Sequence, residues 1–181
     1  MISRLAVALA LVVAFGRPAL AHNLDEYLQA SLISLEQSDI RIFMRLVPGI
    51  AVLPAVLAGI DTNSDGAVSA SEQQAYAARV LRDLSVSIDG HRLELRLLRA
   101  EFPAIDRMRQ GLGEIRIELV AALPPAGSSR KLVFENHHQR QISAYLVNCL
   151  VPQDRSIQIL TQSRNETQSF YELEYQQANS K

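Results

Sequence analysis

The sequence predicts a mainly β protein, an antiparallel immunoglobulin-like sandwich with a helix–loop–helix inserted into it. Three observations lead there. Most of the chain beyond residue 21 alternates apolar and polar residues with a period of two, the mark of half-buried strands. Turn residues separate the alternating runs, as in a two-sheet sandwich. Helical periodicity is concentrated in two segments that flank one polar loop.

The strand signals come in order. Ile40, Ile42, Met44 and Leu46 alternate with Arg41, Phe43 and Arg45. Leu93, Leu95 and Leu97 alternate with Arg92, Glu94 and Arg96. Ile115, Ile117 and Leu119 alternate with Arg116 and Glu118, and Tyr171, Leu173 and Tyr175 with Glu172 and Glu174. Strands are expected near 26–35, 38–47, 85–89, 92–99, 114–122, 130–136, 141–150, 156–162 and 168–176. Asp89-Gly90 is a tight hairpin signal, and 124–129 (Pro-Pro-Ala-Gly-Ser-Ser) is a loop. The insertion covers about 50–84. Residues 50–60 precede the polar loop, with the helix starting near Pro54, because proline is tolerated in a first turn. Residues 69–84 follow it, with Ala75, Tyr76, Ala77, Val80 and Leu81 as the apolar side. Residues 104–112 add a short helix or loop.

Residues 1–21 have the composition of a signal peptide. Arg4 supplies a positive start, and 5–15 is an apolar run too short to span a bilayer comfortably. Ala19-Leu20-Ala21 is a small-x-small cleavage site. Cleavage after Ala21 leaves a single domain, 22–181, expected to be periplasmic or secreted. The net charge of −1 becomes −3 once Arg4 and Arg17 are removed, which excludes a basic nucleic-acid surface. Cys149 is the only cysteine, so no internal disulfide forms. Its apolar neighbours point to a buried, inert thiol.

The polar loop carries the most specific chemistry. Residues 61–72 read D-T-N-S-D-G-A-V-S-A-S-E. A hard cation such as Ca²⁺ takes six to eight oxygen ligands, and this spacing offers them. Asp61, Asn63 and Asp65 fill positions 1, 3 and 5. Ala67 gives a backbone carbonyl at position 7, Ser69 reaches through water at position 9, and Glu72 closes the site at position 12. Gly66 permits the left-handed turn at position 6, and Val68 puts an apolar side chain in a short strand behind the loop. No second loop of this kind occurs in the chain, and Asp83, Asp89 and Asp106 lack the spacing. The affinity expected of such an unpaired site is on the order of 10⁻⁴ to 10⁻³ M. It would be filled constitutively outside the cytoplasm and serve as a clamp.

A second metal reading rests on histidines. His22 would be the mature N-terminus, where amine and imidazole together chelate a softer ion such as Cu²⁺ or Ni²⁺. His137-His138 lies between Glu135 and Arg140. Adjacent histidines in a strand point to opposite faces, so they share one metal only in a turn. The plainer reading is a surface turn. Asn136, His137, Tyr145 and Asn148 have the character of groove-lining residues or of hydrogen-bonding residues at sheet corners. Ser143, Cys149, His137 and His138 share one segment without a nucleophile, base and orienting acid in sequence relation, so a non-enzymatic role is expected.

The helix–loop–helix over roughly 52–82 resembles the EF-hand superfamily. The resemblance implies calcium ligands at Asp61, Asn63, Asp65, Ala67, Ser69 and Glu72. Residues 22–30 (His-Asn-Leu-Asp-Glu-Tyr-Leu-Gln-Ala), together with 134–138 and 143–148, look like exported bacterial proteins of unassigned role. Some of these resemble the extracytoplasmic heads of nickel/cobalt or hydrogenase-accessory permeases. That likeness implies an envelope location and a membrane permease or other envelope protein as partner. A nickel, cobalt or copper accessory role is the alternative to calcium binding.

Overall fold

The computed structural model describes residues 25–125 and 128–178. The expected signal peptide, its cleavage site and His22 lie outside the described residues. Among the described residues, ten strands and three helices follow one another. They are β1 (Tyr27–Leu35), β2 (Asp39–Pro48), α1 (Leu53–Ile60), α2 (Ala70–Arg82), β3 (Leu84–Ile88), β4 (His91–Arg92) and β5 (Arg96–Glu101). Then come α3 (Ile105–Arg109), β6 (Ile115–Ala122), β7 (Ser129–Asn136), β8 (Ser143–Cys149), β9 (Ile157–Arg164) and β10 (Phe170–Gln177). They form two five-stranded sheets, β5-β6-β2-β1-β8 and β4-β3-β7-β10-β9. The fold is therefore mainly β and sandwich-like.

The alternation explains the layers. Ile40, Ile42, Met44 and Leu46 of β2 turn to the same side and are buried, as are Ile115, Ile117 and Leu119 of β6. Leu132 and Phe134 of β7 and Tyr171, Leu173 and Tyr175 of β10 do the same from the second sheet. These side chains share one apolar cluster with Val56 and Ile60 of α1 and Tyr76, Ala77 and Val80 of α2. Each large apolar side chain so buried contributes about 1.5–3 kcal/mol relative to exposure. The helix pair leads from β2 in one sheet to β3 in the other.

Local signals account for the joints. Pro54 falls in the first turn of α1, where its missing N–H costs no helical hydrogen bond. Asp89 and Gly90 both adopt positive φ, 53° and 80°, as a tight hairpin between twisted strands requires. Ser69 caps α2 with a reciprocal capping box to Glu72.

Two expectations need correction. The run 92–99 is not one strand. Arg92 ends β4 in one sheet and Arg96 begins β5 in the other. Leu93, Leu95 and Leu97 pack partly buried against the core along this crossing, so their alternation reflects burial during a change of sheet. The sandwich is also not wholly antiparallel. β8 runs parallel to β1, from Tyr27↔Ser143 to Ile33↔Cys149. β7 ends in one sheet, the 137–142 turn carries the chain over, and β8 then lies beside the first strand in the same direction. No described helix is long and apolar enough to cross a membrane.

Candidate metal centre

The loop between the two helices is built from its own side chains. Asp61 is the C-cap of α1. Its Oδ1 accepts from the Asp65 amide (3.1 Å) and its Oδ2 from the Gly66 amide (3.0 Å). Asn63 Oδ1 also accepts from the Asp65 amide (3.0 Å), and Asn63 Nδ2 donates to Asp65 Oδ2 (2.8 Å). Asp65 Oδ1 accepts from the Ala67 amide (2.9 Å). Gly66 has φ +83° with no atom near the place of a Cβ, so backbone conformation alone favours glycine there. Ser64 also adopts a positive φ, 59°.

Glu72 fastens the far end. Its Oε1 accepts from the Thr62 amide (2.8 Å), and its Oε2 accepts from the Ser69 amide (2.9 Å) and hydroxyl (2.7 Å). The Ser69 hydroxyl and then its amide hold the Glu72 carboxyl down at about 2, with the Thr62 bonds adding to the effect. Positions 2, 9 and 12 of the loop are thus tied together. Val68 packs partly buried against the core, but no strand forms at this position.

The donor set is all oxygen, which suits a hard divalent ion. Asp61, Asn63 and Asp65 sit together on one turn. Glu72 is turned to Ser69 and Thr62, and no three His, Cys, Asp or Glu side chains among the described residues converge in metal-ligand geometry. The residues fit calcium in kind. Bringing Glu72 to the ion would require it to exchange its capping hydrogen bonds for coordination.

The two histidines lie in the turn after β7 and face opposite surroundings. His137 is exposed, with Nε2 against Glu135 Oε2 (2.8 Å) and Nδ1 receiving Arg140 Nη2 (2.8 Å). His138 is fully buried, against the expectation of a surface turn. Its Nδ1 meets Asp83 Oδ2 at 2.7 Å and its Nε2 meets the Tyr76 hydroxyl at 3.1 Å. Both ring nitrogens of both histidines are therefore engaged, and neither offers a lone pair without losing a partner.

Around His138 lies a polar network that sequence reasoning did not find. The Tyr76 hydroxyl meets the Tyr27 hydroxyl at 2.8 Å. Gln29 donates to the His138 carbonyl (2.9 Å) and to Ser143 (2.6 Å), and Asn136 Nδ2 donates to Gln29 Oε1 (2.9 Å). The Tyr145 hydroxyl also donates to the His138 carbonyl (2.9 Å). Asn136 and Tyr145 thus complete hydrogen bonds at a corner between the sheets. One signal was present in the sequence: Gln29 and Ser31 occupy alternate positions of a strand that also carries Ile33 and Leu35. The Cys149 thiol is part-buried, and burial pushes it up to about 12. Comparison with protein-family models, with curated proteins and with solved structures finds no match.

Proposed function

We propose that residues 61–72 bind one calcium ion in EF-hand fashion, and that the protein is an exported, non-enzymatic module with an immunoglobulin-like sandwich. Asp61, Asn63 and Asp65 supply side-chain oxygens, Ala67 its carbonyl, Ser69 a water-linked contact and Glu72 the closing carboxylate. When bound, the ion neutralises carboxylates that otherwise repel one another and pins the loop ends together. The observation that carries this reading is the turn at its start. Asp61 already accepts the Asp65 and Gly66 amides, and so curls the oxygen-bearing positions 1, 3 and 5 together. With α1 and α2 packed into the shared core, a bound ion would act as a clamp on one end of the sandwich.

The test is calorimetric titration of the protein with calcium, alongside the Asp61→Ala/Glu72→Ala variant. One site should be seen in the wild type and none in the variant. Calcium at about ten times its dissociation constant should stabilise the fold by about 1.4 kcal/mol, read as a higher Tm. Equal binding by the double variant, or a Tm indifferent to millimolar calcium, would refute the clamp.

A further inference from the structure

We propose that Tyr27, Tyr76, His138 and Asp83 form a protonation-controlled latch, which fastens α2 to the junction of the two sheets and opens when His138 takes up a proton. The latch is built from bonds outside the calcium loop and stands whether or not that loop binds an ion.

The chain of hydrogen bonds has a definite direction. A carboxylate can only accept, so Asp83 Oδ2 receives the proton on His138 Nδ1. A neutral imidazole then has a bare Nε2, which must accept from the Tyr76 hydroxyl. The Tyr76 oxygen in turn receives the Tyr27 hydroxyl. Tyr27, Tyr76 and His138 are all 0% exposed, so no water competes among these three, and only the Asp83 side chain at the outer end, 37% exposed, meets solvent. Three parts of the fold meet in it: Tyr27 from β1 of the first sheet, Tyr76 and Asp83 from the body and C-cap of α2, and His138 from the turn after β7 of the second sheet. The His137 amide also donates to the Asp83 carbonyl (2.9 Å), so turn and helix end are joined twice.

A proton on Nε2 reverses the line. An imidazolium donates from both nitrogens, so Tyr76 must accept from it and swing its own O–H toward Tyr27. Tyr27 must then accept, and its O–H loses the partner it had, inside a site closed to water. The remaining groups around the ring do not rescue it. From α2, Asp83 favours the charged ring and Arg79 opposes it. From β1, Tyr27 stands edge-on at 6.2 Å and Gln29 is committed to the His138 carbonyl. From the end of β7 and from β8, Asn136 and Tyr145 bind the His138 backbone; from the turn, Gln139 reaches the Tyr76 hydroxyl at 3.5 Å and Arg140 is held by His137.

Burial is the dominant influence on the ring and lowers its pKa below the ordinary 6.5. The sign follows. The unfolded chain binds the proton more readily, so the latch is intact above about 6.5 and is lost progressively as pH falls below it.

The experiment uses the full chain. Amide hydrogen exchange, corrected for intrinsic rates, is compared at about pH 7.5 and about pH 5.5. Protection of the α2 amides should fall about tenfold, the factor expected about one pH unit below the ordinary 6.5. Two further readouts accompany it. Nitrogen-15 NMR of the imidazole should show the Nδ1–H tautomer at the higher pH. In Tyr27→Phe, which has no hydroxyl to strand, the pH-dependent loss should shrink. His138→Gln should abolish it, and if that variant does not fold, Tyr27→Phe and the tautomer decide. An Nε2–H tautomer, α2 protection that does not change with pH, or an undiminished loss in Tyr27→Phe would overturn the proposal.

Discussion

At the scale of single residues, two buried tyrosines with the same chemistry have opposite expected worth. The Tyr76 hydroxyl sits between Tyr27 and His138, and burial pushes it up to about 12. The Tyr175 hydroxyl is equally buried but has no hydrogen-bond partner among the described residues, and neither has Nη2 of its cross-strand neighbour Arg130. A buried donor without a partner keeps its desolvation cost and returns nothing. Tyr76→Phe should therefore lower stability at neutral pH by about 1–3 kcal/mol, whereas Tyr175→Phe should leave it unchanged or raise it by up to about 1 kcal/mol. Urea titration of the two variants beside the wild type checks this, and a clear loss in Tyr175→Phe would show that its hydroxyl is satisfied. Period two was an incomplete guide at this scale. On hydropathy alone, Leu28, Ala30 and Leu32 of β1 would turn inward, yet Leu32 is exposed while Gln29 and Ser31 are buried. The strand accepts that inversion because Gln29 completes a network drawn from residues 109 and 114 positions away. No local pattern encodes such partners.

At the scale of elements, α2 has the clearest account. Ser69 and Glu72 were read as loop ligands, and the same two residues form the capping box that starts the helix. The two roles coincide in sequence because a metal loop that feeds a helix places its last acid at the third helical position. Ser69→Ala should cost about 1 kcal/mol, measured as reduced protection of the first turn of α2. Acid should act on the same joint. Glu72 is held at about 2, below its unfolded value near 4.5, so its contribution is complete above that value and is lost as pH falls toward about 2. Because the Ser69 hydroxyl is the largest cause, Ser69→Ala should move this acid loss to higher pH. An unmoved acid profile would separate the cap from the carboxylate. The long elements were legible because their periodicity was long: β2, β6, β10 and both helices fall within a few residues of expectation. The split at Leu93–Leu95 was not, because alternating leucines look alike whether a strand continues or crosses between sheets.

At the scale of the whole molecule, both sheets and two helices feed one apolar cluster. That arrangement predicts one cooperative unfolding transition. The chain has no tryptophan and five tyrosines, of which Tyr27, Tyr76, Tyr145, Tyr171 and Tyr175 are all buried. Tyrosine fluorescence therefore reports the core from both sheets. Cys149 gives an independent probe, because partial burial pushes its thiol up to about 12, which should slow its labelling until the fold opens. The fluorescence midpoint and the onset of thiol labelling in denaturant should coincide. Labelling well before the fluorescence change would mean that the β8 edge opens on its own. Fold class was readable from the sequence because it depends on repeated local choices. Sheet membership was not, because it depends on which distant strands meet.

The parallel pairing of β1 with β8 has a consequence in time. β1 finds β2 at once through a short turn, but its other flank stays unpaired until residue 143 and beyond are available. The helix pair, the crossing at Leu93–Leu95 and the whole of β7 must come first. Loops of that length close late and lower the folding rate. During synthesis the earliest strand therefore waits through the longest stretch of chain for its second partner. Until β8 arrives, the exposed edge of β1 is where a wrong neighbour could attach.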